Sequence, residues 1–227
     1  MLVMKAWLET RWRLVAAFAM PLFVLGLNFQ NRNSPATTLR AMLVLLGLVL
    51  ALDSTFLAGS GVKSQAPIGF PEGVAGSTQF TISLPVSRLR LLSVRAGIGL
   101  LEISIVTAII GCMTWGLFPA VRGSATVADL ARFLLTTILF LTGPYFASVF
   151  FWTFLDDPLP GMGALLTMTL LLVLSHHVPA SVDIFRAWGQ ASPLITHRLP
   201  WSQMAASAGL AMMLFLAAVR VVQTREY

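Results

Sequence analysis

The chain has little of what keeps a soluble protein dispersed. Only 11% of its 227 residues are charged, well under the roughly 25% of a soluble domain, while 57% are hydrophobic. A single soluble core could not hide that much apolar surface, so the bilayer is the expected solvent and one transmembrane domain covering residues 1–227 the expected organisation. Cysteine is almost missing. Cys112 is the only one and lies inside an apolar run, which excludes a disulfide framework and a thiolate metal cluster. Histidine is scarce too, with His176 and His177 adjacent and His197 apart. Neighbouring histidines point to different faces of a helix and have no carboxylate at the next turn, so no metal site is expected. The net charge of +6 is spread between apolar runs rather than gathered on one face, which argues against nucleic acid. GSGVKS at 59–64 lacks the glycine spacing and the preceding strand of a phosphate-binding loop, so no nucleotide site is expected in this chain.

What the chain does have is long apolar runs. A spanning helix takes about 20 mostly apolar residues, and six stretches come close: 12–28, 39–58, 96–118, 133–155, 159–176 and 202–220. The fold class expected is therefore all-α and polytopic. The basic N-terminus resembles a signal peptide, but its apolar part is too long and no small-x-small cleavage site is clear, so it is taken as a retained first span. A short interfacial helix bearing Trp7 and Trp12 is expected before it. An even number of spans puts both termini on one side. The basic residues near span ends, including Lys5, Arg11, Arg13, Arg88, Arg90, Arg95, Arg220 and Arg225, assign that side to the cytoplasm of the inner membrane. Loop 59–95 is then cytoplasmic and loop 179–200 external.

Charges inside apolar runs are costly, about 2.5–3.5 kcal/mol each at the bilayer centre. Asp53 lies near the cytoplasmic end of span two, Glu102 about two turns into span three, and Arg95 seven residues earlier on the same face. A structural polar clamp at the base of the bundle is the preferred reading, with substrate or proton binding as the other. Asp156 and Asp157 suit the turn before Pro158 better than a catalytic pair. In the external loop, Ile184, Phe185 and Trp188 can line a short helix dipping into the membrane or form part of an aromatic belt. Gly97, Gly99 and Gly111 in span three, and Ala205, Ala206, Ala208 and Gly209 in span six, permit close helix approach.

The loop before span three carries the most specific signal. Pro71, Gly73 and Gly76 bound one end and Pro85 the other, so GSTQFTISL can form two to three helical turns. Phe80 and Leu84 are four apart, with Val74 beside them, which makes a small apolar face. Ser87 then stands where an N-cap would start the next helix. Physics alone describes an interfacial helix with arginines at its exit.

The run Glu72, Gly76, Ser77, Thr78, Phe80, Thr81, Leu84, Pro85, Val86, Ser87, Arg88 resembles the E-x-x-x-G-[ST]-x-x-x-[TL]-x-x-L-P-V-S-R pattern between spans two and three of ABC-2 type transporter permeases. The motif covers about 17 residues; the order of spans and loops agrees with it. The resemblance implies a permease subunit that dimerises with a second copy or a related permease and is driven by a separate ATPase. ATP and Mg are then expected in that partner, no cofactor in this chain, and no catalysis by it. It further implies that the 72–84 segment is a coupling helix touching the ATPase through Glu72, Gly76, Ser77, Thr78, Phe80, Thr81 and Leu84, with Arg88 and Arg90 at its exit. The substrate expected is amphipathic or hydrophobic. A rival expectation is a membrane scaffold or sensor subunit docking a non-ATPase cytoplasmic partner, and a third is an intramembrane enzyme built on Asp53, Glu102 and the histidines, which lacks a nucleophile and base pair at useful spacing.

Overall fold

The computed structural model describes residues 2–31, 36–58, 87–154 and 183–224, with isolated positions between 166 and 179. The described residues are helical, with no strand among them. In chain order the elements are α1 (Leu2–Asn28), a 3-10 turn (Phe29–Asn31), α2 (Ala36–Leu57), α3 (Arg88–Leu117), α4 (Pro119–Ser124), α5 (Val127–Phe154), α6 (Ile184–Trp188), α7 (Pro193–Thr196) and α8 (Trp201–Thr224). Four of them, α2, α3, α5 and α8, are long and apolar enough to cross a bilayer. The chain is thus helical with the character of a multi-pass membrane protein.

Two helix starts follow from local chemistry. Ser87 has extended backbone, and its hydroxyl accepts from the Arg90 N–H at 3.3 Å, so α3 begins at the expected cap. Thr126 and Asp129 form a reciprocal capping box at the head of α5. The Asp129 carboxylate accepts from the Thr126 N–H at 3.0 Å, and the Thr126 hydroxyl accepts from the Asp129 N–H at 3.2 Å. Pro119 stops α3: it holds Phe118 extended and opens α4 at its own first position.

Several boundaries differ from the expected ones. α3 starts at the expected Ser87 cap, ahead of the apolar span expected from 96, and α5 starts at Val127, ahead of the span expected from 133, because the capped helices extend through charged turns that an apolar count leaves out. The separate interfacial helix is not seen; α1 is continuous from Leu2 to Asn28. Nothing between Lys5 and Arg13 is a helix breaker, so the chain has no local reason to stop there. Most of the expected span 159–176 and all of 59–86 lie outside the described residues.

α5 is the hub, packed on α2, α3 and α8, while α1 lies across α2 and α3. Its buried residues, among them Thr136, Thr137, Phe140, Leu141, Tyr145 and Ser148, occur on more than one side, as a central helix requires. Pairings fix direction. Gly111 meets Leu134 and Ala96 meets Tyr145, so α3 and α5 are antiparallel. The Thr136 hydroxyl lies 3.8 Å from the Met204 sulfur, Ser207 donates to the Leu139 carbonyl and Phe146 touches Phe215, so α5 and α8 are parallel. Ser148 donates to the Thr55 carbonyl at 3.0 Å, which brings the C-terminal ends of α2 and α5 together beside the start of α3.

Of the small residues expected at close approaches, Gly99 and Gly111 serve that purpose. Gly97 and Gly209 meet no neighbour, and Ala205 and Ala208 are exposed. The outer face of α8 is thus uncovered within the described chain.

Candidate functional site

The acidic residues singled out inside the apolar runs end up in the same part of the bundle. Asp53 is one turn from the end of α2 and buried, and Glu102 is completely buried on α3. Oδ2 of Asp53 has no hydrogen-bond partner among the described residues. Arg95 is half-buried two turns before Glu102. No described hydrogen bond or ion pair joins Asp53 to Glu102.

The residue that links these elements was not singled out beforehand. Tyr145 of α5 is fully buried, lies across Gly99, and donates its hydroxyl to the Ala96 carbonyl at 2.9 Å. It is within electrostatic reach of Glu102. Gly99 is necessary there, since a Cβ would overlap the Tyr145 hydroxyl and stand 2.9 Å from its ring carbons. A hydroxyl inserted into the first turns of α3 therefore pins α5 to that helix. Ser148, one turn along α5, holds α2 through Thr55. Together these contacts make a polar base that ties three helices, with two buried carboxyls inside it. An aromatic hydroxyl among apolar residues gives no sequence signal of its own. Gly99 was the available hint.

The opposite end is closed differently. Asp183 caps α6 by accepting from the Phe185 and Arg186 N–H groups at 3.0 and 3.3 Å. This aims Trp188 inward, where it is 1% exposed, packed edge-on against Phe140 and Phe185 and seated on Gly47 of α2. The short helix expected in this loop thus packs its Trp188 against α2 and α5. Nearby, Asp129 accepts from His197 Nδ1 at 2.8 Å and from Arg132 at 2.7 Å, and Arg132 also donates to the His197 carbonyl. The loop before α8 is thereby tied to the head of α5, with His197 in a left-handed conformation, φ 56°. His197 serves as a carboxylate partner in this arrangement.

Of the residues expected to touch an ATPase, Glu72, Gly76, Ser77, Thr78, Phe80, Thr81 and Leu84 lie outside the described residues. Arg88 opens α3, and Arg90 is exposed one turn from its cap. The geometry defines a helical membrane protein with a polar, acidic base at one end and an inserted aromatic plug at the other. No family model, curated protein or solved structure matches the chain.

Proposed function

We propose that the chain is a permease subunit of an ATP-driven exporter of the ABC-2 type. It acts as a dimer with a separate ATPase and moves an amphipathic or hydrophobic compound by alternating access. The observation that carries this reading is the junction at Ser87. The motif from Glu72 to Arg88 runs directly into a capped helix that continues unbroken for 30 residues. A push on the 72–84 segment would enter a rigid rod whose first turns are pinned to α5 through Tyr145. A floppy junction would absorb such a push.

The direction of the helices supports six spans. α5 and α8 are parallel, as the fourth and sixth of six spans would be, and the fifth apolar run, 159–176, lies between them in the sequence. The basic residues at span ends support termini in the cytoplasm, and a location in the inner membrane belongs to the same reading. Asp53, Glu102 and Arg95 are read as a polar clamp at the base, where loss of packing would loosen the rod.

The test is ATP turnover by the reconstituted complex with a candidate ATPase encoded beside this chain. Phe80→Asp should abolish stimulation of the ATPase, and Phe80→Ala should weaken it. Equal assembly and equal turnover with Phe80→Asp would remove the basis for the coupling role. Assembly with a partner that hydrolyses no ATP would favour a scaffold instead.

A further inference from the structure

A groove of about 710 Å³ opens along α2 where it meets α6, within the 300–1,000 Å³ usual for small-molecule sites. On α2 it follows one stripe, Arg40, Ala41, Val44, Leu45 and Leu48. These positions lie on one helical face and descend about 12 Å from the first to the last. Phe185, Arg186 and Gln190 line the α6 side. The α2 stripe therefore runs from exposed Arg40 into apolar residues, and the α6 side adds the Phe185 ring and a second exposed arginine, Arg186. Asp183 also lines the groove, and its Oδ1 accepts from the Phe185 and Arg186 backbone N–H groups. Leu45 is 45% exposed, so the channel is open sideways. Arg40 lies in the second turn of α2, at the N-terminal end of its apolar run, where a basic residue suits the headgroup zone.

We infer that this groove is a binding site for an anionic phospholipid, its phosphate held between Arg40 and Arg186 and one acyl chain lying along Val44, Leu45 and Leu48 against Phe185. Two arginines at the interface match a phosphate by charge and by the fork geometry of their donors. A zwitterionic lipid brings its own cation to the same place and gains less. A free phosphate lacks the chain that fills the lower groove. The site is independent of the transport reading, because a bound lipid would sit there in any protein with this arrangement of α2 and α6.

The experiment is lipid retention by the intact purified chain in detergent, read by native mass spectrometry. Phosphatidylglycerol and phosphatidylcholine with identical chains are titrated, and soluble glycerol phosphate is added as a competitor. Phosphatidylglycerol should bind more tightly, and Arg40→Gln with Arg186→Gln should weaken it about thirtyfold, at about fivefold per basic residue at an anionic surface. Arg122→Gln, an exposed arginine outside the groove, should leave it unchanged. Leu45→Trp, which fills the channel with both arginines intact, should weaken both lipids. Equal retention by the double arginine variant, an equal loss with Arg122→Gln, or glycerol phosphate competing as well as the lipid would each overturn the assignment.

Discussion

Gly47→Ala tests whether Trp188 is a fixed plug. A methyl at position 47 would stand 2.7 Å from the Trp188 Cγ and nearer still to two other ring atoms. That is about 1 Å inside the 3.5–4.0 Å optimum for carbon contacts. The indole has nowhere to retreat, since Phe140 and Phe185 hold it edge-on with ring centroids at 6.1 and 5.7 Å. Overpacking of a closed site costs about 1–3 kcal/mol, and the rigidity of the ring argues for the upper part of that range. Trp188→Ala alone should cost about 3–5 kcal/mol, as for other large aromatic truncations. The double variant should cost little more than Trp188→Ala, because the clash is gone, leaving a coupling of about 1–3 kcal/mol. The assay is equilibrium unfolding in mixed micelles followed by far-ultraviolet circular dichroism. Gly209→Ala supplies the control of opposite sign, as it meets nothing and should stabilise α8 by up to about 1 kcal/mol. Strict additivity of Gly47→Ala and Trp188→Ala would refute the plug, as would a harmless Gly47→Ala.

Tyr145→Phe removes the hydrogen bond to the Ala96 carbonyl, which keeps its helical partner, so it should cost about 0.5–1.5 kcal/mol in the same unfolding assay, and an unchanged midpoint would show that α3 and α5 are not pinned there. Asp129→Ala should lower Tm by about 2–4 °C and by more than His197→Ala, because Asp129 is buried and serves the α5 cap, Arg132 and His197 together, whereas the His197 side chain is 51% exposed. The reverse order would mean that His197 holds the loop by other contacts.

Much of the helical layout could be read from the chain because the signals are local. Apolar runs mark α2, α3, α5 and α8, and Ser87 marks the start of α3 by a bond within one turn. The capping box at Thr126 and Asp129 was equally local, and would have placed the start of α5 earlier. Asp53 and Glu102 stood out because acids are rare in apolar runs. The features that stayed hidden are decided between distant residues. Whether Trp188 faces headgroups or core depends on Gly47 and Phe140, and no periodicity in five residues can reveal that. The pairing of His197 with Asp129, separated by 68 positions, exists only once α7 has packed against α5.

The length of α3 works as a depth gauge. Thirty residues make a helix about 45 Å long, against about 30 Å of hydrocarbon. If Leu117 stands level with one boundary and the tilt is small, about 15 Å of the helix projects beyond the other. Glu102 is about 21 Å from Arg88 along the axis, which leaves it about 6 Å below that boundary. Asp53, on a different helix, is also about 6 Å from the end of α2 at Leu57. Two independent rulers thus place both carboxyls in the same shallow layer. Neither acid then lies at the midplane, where a charge costs most.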